Sequence, residues 1–183
     1  MSDPAPNGAD GRPPLVYEDG WIRTILERVK TIAMVGASAG DMRPSYFAML
    51  YLQNKGYRVI PVNPRYAGEK ILGETVYANL NDVPGPIDMV SVFRRSEDAP
   101  AVVDEAMARG VDVIWMQLGV RHDEAAARAE RAGHTVVMDR CPKIEYGRLL
   151  GEIGWLGVNR GVLSAKKGTA RQLKPGPKGP WSR

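Results

Sequence analysis

The chain has 183 residues, 44% of them hydrophobic and 25% charged, a composition typical of one soluble globular domain. A single cysteine excludes an internal disulfide framework, and no run approaches the roughly 18 apolar residues that a membrane span needs. The net charge of +4 comes from the C-terminal segment, because seven basic and no acidic residues occur from Arg160 onward. Basicity is therefore poor evidence that the folded part binds nucleic acid.

Helical and extended patterns alternate along the chain between two polar ends. Residues 1–14 and 159–183 are predicted to be disordered tails, the second one basic, around one domain at 15–158. In chain order the patterns predict helix 18–30, strand 31–36, helix 44–55, strand 57–62, a short strand at 74–77, strand 87–93, helix 99–109, strand 111–118, helix 122–132, strand 134–138 and helix 142–150.

This alternation is typical of βαβ units around a parallel sheet. We expect an α/β fold, a Rossmann-like three-layer domain whose mainly parallel sheet has about five strands in the order 3-2-1-4-5. Ligands of such sheets bind at the carboxyl ends of the strands, near the point where the strand order reverses. The residues that follow each strand are therefore the candidates for a site.

A turn of small residues follows the first strand and leads into a helix. Gly36 allows the backbone to turn sharply and to approach a ligand, and Pro44 suits the first position of a helix. The free N–H groups at that helix start favour an anion, and Arg43 adds a cation beside them. The segment therefore predicts a site for a phosphorylated nucleotide.

The turn departs from the dinucleotide pattern Gly-x-Gly-x-x-Gly. Gly36 matches the first glycine, but Ser38 and Asp41 stand at the other two, and Asn63 replaces the acid expected after the second strand. One alternative is an NADP-dependent oxidoreductase, because Arg65 lies close to Asn63 in the sequence and could bind the extra phosphate of NADP. A nucleic-acid-associated protein that acts through the basic tail is the other alternative.

Four segments, in order and at strand ends, resemble the small bacterial CoA-binding protein family: residues 35–38, 43–45, 59–64 and 138–143. The fold of that family is similar to the CoA-binding domain of the succinyl-CoA synthetase alpha chain, and the resemblance covers residues from about 20 to 150. It implies a cytoplasmic, bacterial protein that binds coenzyme A or an acyl-CoA. Because no second domain with a phosphorylated histidine follows, and no catalytic set or metal cluster is visible, we expect binding without catalysis.

The resemblance also implies which residues bind the ligand. In the synthetase domain, the turn after the first strand and the next helix start hold the phosphates, and later strand ends flank the nucleotide and the pantetheine arm. Tyr66 stands where the synthetase has a lysine, so one phosphate contact would differ. The implied binding residues are Gly36, Ala37, Ser38, Arg43, Pro44, Ser45, Asn63, Pro64, Phe93, Arg94, Met116 and Gln117.

Several of these residues also have a purely structural interpretation. Ser38 and Ser45 could be helix caps, Met116 could be core, and of Arg94 and Arg95 only one is expected to face the cleft. Gln117 is polar in an apolar run, and a buried polar group needs a partner.

Cys141 follows the fifth strand between Arg140 and Lys143. Neighbouring cations favour the thiolate form of a cysteine. One hypothesis is that Cys141 forms a mixed disulfide with the CoA thiol, and the alternative is a half-buried small apolar residue.

Overall fold

A five-stranded parallel sheet forms the centre of the computed structural model, which describes residues 15–151. Its strands are β1 (Thr31–Val35), β2 (Arg58–Val62), β5 (Met89–Val92), β6 (Val113–Met116) and β7 (Thr135–Val137). A separate antiparallel pair is formed by β3 (Lys70–Ile71) and β4 (Glu74–Thr75). The predicted Rossmann-like α/β class is confirmed, while both predicted tails and the domain end at 158 lie outside the described residues.

Within residues 15–151, five helices cover the two faces of the sheet. They are α1 (Asp19–Arg28), α2 (Pro44–Asn54), α3 (Ala99–Ala108), α4 (Asp123–Arg131) and α5 (Pro142–Leu149), and short 3-10 turns lie at Pro64–Tyr66 and Ser96–Asp98. One buried cluster joins α3 and α4 to one face, and a second joins α1, α2 and α5 to the other. Burial of successive residues such as Ile32, Ala33 and Met34 reflects this double cover, because each face of a parallel sheet packs against helices.

The predicted strand order 3-2-1-4-5 is wrong. The observed order is β2-β1-β5-β6-β7, so the third main strand lies beside β1, with Val35 opposite Val92. Both orders are compatible with right-handed crossovers. The backbone of Tyr77 pairs with the outer edge of β2. Its N–H donates to Pro61 O (3.0 Å), and its carbonyl oxygen accepts from Asn63 N (2.8 Å). The segment between β2 and β5 thus covers the edge that the prediction had assigned to the third strand.

Candidate functional site

A cavity of about 530 Å³ opens at the carboxyl ends of β1, β2 and β5. This is the crevice beside the strand at which the order reverses, where ligands of open α/β sheets bind. Eleven residues line it: Gly36, Ser38, Arg43, Pro44, Ser45, Asn63, Pro64, Arg65, Tyr66, Phe93 and Arg94. Nine of these are predicted binding residues, so the fold brings most of the predicted set into one place.

Gly36 is required by the neighbouring strand as well as by the turn. Its φ is +91°, and a Cβ atom there would overlap the carbonyl oxygen of Phe93 and lie 2.9 Å from the Phe93 carbonyl carbon. Its N–H donates to Val62 O (2.8 Å), so the residue still belongs to the ladder between β1 and β2. The glycine therefore allows three strand ends to meet closely under the cavity.

The start of helix α2 lines the cavity, and no side chain caps its first turn. Arg43 is the N-cap residue and makes no side-chain capping bond, and Pro44 occupies the first helical position. The hydroxyl of Ser45 accepts from Ser38 N (3.1 Å), and the hydroxyl of Ser38 accepts from Gly40 N (3.3 Å). Both serines thus hold the turn in shape, and each hydroxyl hydrogen remains able to donate to an anion.

Asn63 links the turn to the segment after β2. Its Nδ2 donates to Ala37 O (2.7 Å), and its Oδ1 accepts from Arg65 N (3.1 Å). A dinucleotide site has an acid near this position to bind a ribose. Here the amide fixes the cavity wall, which an aspartate could not do in the same way because a carboxylate cannot donate to the carbonyl of Ala37.

The cavity carries three arginines and no acidic side chain. Within residues 15–151, Arg43 and Arg94 make no ion pair or side-chain hydrogen bond, and Arg65 has only the ring of Tyr66, 5.8 Å from its guanidinium carbon. Arg95 differs from its neighbour Arg94, because it pairs with Glu97 (2.8 Å) and Asp98 (3.5 Å) away from the cavity. The three guanidinium groups that line the cavity therefore have no acidic partner within residues 15–151.

Four predicted binding residues lie outside the cavity lining. Ala37 is buried and offers only its carbonyl, which Asn63 binds. Met116 is fully buried in the cluster with α3 and α4. Gln117 is buried at the end of β6, and Cys141 is the half-buried N-cap residue of α5.

Arg140, one of the two cations near Cys141 in the sequence, binds backbone carbonyls and an aromatic ring. The Arg140 guanidinium donates to Asp139 O (2.8 Å) and Leu15 O (2.5 Å) and lies 5.4 Å from the ring of Tyr17. Arg140 thus attaches the start of the described chain to the sheet edge.

Arg65 and Tyr66 complete the lining; the resemblance had placed Tyr66 at the position of a synthetase lysine, and Arg65 had been considered only for an NADP site or as a substitute for that lysine. They follow Asn63 and Pro64 in the 3-10 turn, which faces the start of α2 across the cavity. Their place directly after a strand end is the signal that pointed to them.

A family model described as CoA binding domain matches residues 30–147. The chain belongs to this CoA-binding domain family. The match spans β1 to α5 and includes every residue that lines the cavity, so the resemblance deduced from the strand-end segments is confirmed.

Relatives in the family cover most of the folded part of the chain. The uncharacterized protein YneT of Bacillus subtilis is 40% identical over 125 residues, which are 68% of this chain and 91% of YneT. The ADP-forming acetate–CoA ligase of Methanocaldococcus jannaschii is 29% identical over 82 residues, 45% of this chain but only 11% of the ligase.

Solved structures of two relatives share the fold. A hypothetical protein from Pyrococcus horikoshii has a TM-score of 0.72 at 38% identity, covering 82% of this chain and all of the other. A Thermus thermophilus protein has a TM-score of 0.70 at 39% identity, covering 73% of this chain and all of the other.

Residues 15–151 contain neither a membrane-spanning helix nor a metal cluster. No helix there is long and apolar enough to cross a bilayer. The same residues contain no group of three or more histidine, cysteine or acidic side chains arranged to hold a metal ion.

Proposed function

We propose that this protein binds coenzyme A or an acyl-CoA without transforming it, with the phosphates in the cavity at the start of α2. The observation that supports this most directly is the set of three guanidinium groups around that cavity, Arg43, Arg65 and Arg94, none of which pairs with a carboxylate of the described chain. Arginines left without acidic partners around an uncapped helix start favour a polyanion.

The charge of CoA fits this arrangement. CoA carries a pyrophosphate and a 3′-phosphate, and guanidinium groups bind phosphate oxygens through two parallel hydrogen bonds. In the first turn of α2, Pro44 has no N–H, and those of Tyr46 and Phe47 donate to Arg43 O (3.0 and 3.3 Å). The N–H of Ser45 and the hydroxyls of Ser38 and Ser45 are the further donors on this side of the cavity. Tyr66 and Phe93 add aromatic surface to the lining for the less polar parts of the ligand.

The family supports the same ligand. Its model is described as a CoA binding domain, and the acetate–CoA ligase that matches 45% of this chain is named for CoA. The ligase is much longer than the matched region, so its reaction is not part of the proposal. The lining contains no carboxylate, histidine or cysteine to act as acid, base or nucleophile, in keeping with a binding role.

Isothermal titration of the full chain with CoA, acetyl-CoA, NADP and ATP tests the ligand. We expect CoA or acetyl-CoA to bind most tightly, and a ligand at 100 times its Kd to add about 2.7 kcal/mol to the free energy of unfolding. Tighter binding of NADP than of both CoA species would overturn the proposal.

The adjacent residues Arg94 and Arg95 provide a matched pair of variants. Arg94→Ala should weaken CoA binding about 10-fold to 100-fold, since a hydrogen bond to a charged group contributes about 1.5–3 kcal/mol. Arg95→Ala should leave it unchanged, because that side chain pairs with Glu97 and Asp98 outside the cavity. Equal losses in the two variants would mean that general charge, and not the cavity, attracts the ligand.

The non-catalytic part of the proposal has its own assay. Acetyl-CoA is incubated with the protein, and free thiol is followed with a disulfide reagent. We expect thiol release at the rate of the buffer control, and faster release that depends on protein concentration would show that the acyl-CoA is a substrate.

A further inference from the structure

The helix α2 carries apolar side chains on the side that faces solvent as well as on the side that faces the sheet. Ala48, Met49 and Leu52 are buried in the cluster against the sheet. On the opposite side, Phe47 is 46% exposed and Leu50 is 38% exposed. Of the five helices within residues 15–151, α2 is also the one that contains no charged residue. A helix with apolar side chains all round is typical of one that is covered on both sides.

The helix α5 extends this apolar surface. Each of the two helices begins after the carboxyl end of a parallel strand, so the two run in the same direction. They touch where a Cβ added at Gly147 would lie 3.3 Å from the hydroxyl of Tyr51. Phe47 lies one turn before Tyr51, and Ile144, which is 49% exposed, lies one turn before Gly147. Phe47, Leu50, Tyr51 and Ile144 thus form one surface, which we call the outer face.

The composition of the outer face is typical of the centre of a protein–protein interface. Aromatic side chains are enriched at such centres and charged ones are depleted, whereas charges lie around the rim. Charges occur here at the two ends of α2. Asp41 is exposed just before the helix and makes no ion pair within residues 15–151, and Lys55 follows the helix with its ammonium 5.4 Å from the ring centre of Tyr51.

We infer that two copies of this chain pair through the outer face, with their α2 helices antiparallel about a two-fold axis. Such a contact joins the same surface of both copies, and an uncharged surface meets no like charge at its centre. An axis midway between Phe47 and Leu50 sets Phe47 of each copy against Leu50 of the partner subunit. The same axis brings Asp41 close to Lys55 of the partner subunit at both ends, and the two helix dipoles oppose each other. This pairing does not depend on the ligand.

Sedimentation equilibrium of the full chain at concentrations from about 1 to 200 µM tests the pairing. We expect the mass to rise with concentration from 20.1 kDa towards twice that value. The mass of one chain at every concentration would overturn the inference. In that case, a lower melting temperature in Leu50→Lys would mean that another part of the chain covers the outer face, and an unchanged one would leave it to a different protein.

Two charged variants test the register. Phe47→Asp and Leu50→Lys each bury a charge without an opposite partner when two identical chains pair, so each should weaken the pairing about 100-fold or more. An equimolar mixture of the two variants should pair at least about tenfold more tightly than either variant alone, because the two new charges are opposite in sign and face each other. Unchanged pairing in both variants, or no recovery in the mixture, would overturn the inference.

Val16→Lys is the matched control. Val16 is an apolar residue that is 84% exposed, but it lies before α1 and outside the outer face. The variant should pair as the unmodified chain does, and an equal loss of pairing would mean that any added charge prevents it. Leu50→Lys should keep its CoA affinity, since Leu50 does not line the cavity. Failure of the unmodified protein to bind CoA would overturn the proposed function and leave the pairing untouched.

Discussion

Replacing Gly36 with alanine tests whether the neighbouring strand, and not only the ligand, requires a glycine in the turn. Gly36 has a φ of +91°, and an added Cβ would overlap the carbonyl group of Phe93. Two penalties therefore add. A left-handed backbone costs a residue with a Cβ about 1–2 kcal/mol, and forcing backbone apart in a packed region costs about 1–3 kcal/mol more.

The variant Gly56→Ala separates the two penalties. Gly56 follows α2 with a φ of +92°, but no atom lies within 4 Å of the position its Cβ would take. Its alanine variant should lose only about 1 kcal/mol, because the lower entropy of the unfolded chain offsets part of the backbone strain by about 0.4–1 kcal/mol. Gly36→Ala should lose about 2–4 kcal/mol.

Urea unfolding followed by circular dichroism measures both variants. With a denaturant dependence of about 2 kcal/mol per molar, Gly36→Ala should lower the midpoint by about 1–2 M and Gly56→Ala by about 0.5 M. Gly36→Ala should also weaken CoA, since the turn and the Phe93 strand end move apart. Equal midpoints for the two variants would refute the steric argument.

Three further predictions concern single side chains. Arg43→Ala should weaken CoA more than dephospho-CoA if Arg43 contacts the 3′-phosphate, and calorimetry giving equal losses would assign it to the pyrophosphate. Burial raises the pKa of Tyr57, whose hydroxyl donates to Leu26 O (2.7 Å), so folding keeps it protonated. Stability from this group is full below the ordinary tyrosine pKa of about 10 and falls above it. Tyr57→Phe should lower the free energy of unfolding by about 1 kcal/mol at neutral pH and show a shallower alkaline loss in thermal melts. The control is Tyr46→Phe, since Tyr46 lies in α2 and its hydroxyl makes no hydrogen bond within residues 15–151. Incubation with CoA disulfide tests the hypothesis that Cys141 forms a mixed disulfide, a reaction in which its sulfur would displace one CoA thiol. An adduct seen by mass spectrometry and lost in Cys141→Ser would support the hypothesis, and no adduct, or an equal one in the variant, would contradict it.

Local sequence patterns predicted the elements well because each pattern reflects a nearby cause. Apolar runs predicted all five main strands, since both faces of a parallel sheet are buried. Pro44 predicted the first residue of α2, because a proline in the first turn of a helix sacrifices no hydrogen bond and has a suitable φ. The strand-end rule then predicted most of the cavity lining.

Long-range partners could not be predicted in the same way. The sequence of Arg94 and Arg95 does not show which guanidinium faces the cavity; that depends on Glu97 and Asp98, which the 3-10 turn brings to Arg95. The bond from Asn63 to Ala37 joins residues 26 positions apart and exists only once β2 lies beside β1. Such contacts follow from the fold and leave no local pattern.

The strand order decides which of the implied binding residues can act together. With the order 3-2-1-4-5, the strand ending at Phe93 would lie beyond β2, and the strand ending at Gln117 would lie directly beside Gly36. The observed order places Phe93 next to Gly36 and Gln117 one strand further on. A ligand anchored at the turn would therefore have to pass the end of β5 before it could reach Gln117, which lies about 10 Å from Gly36 at the usual strand spacing.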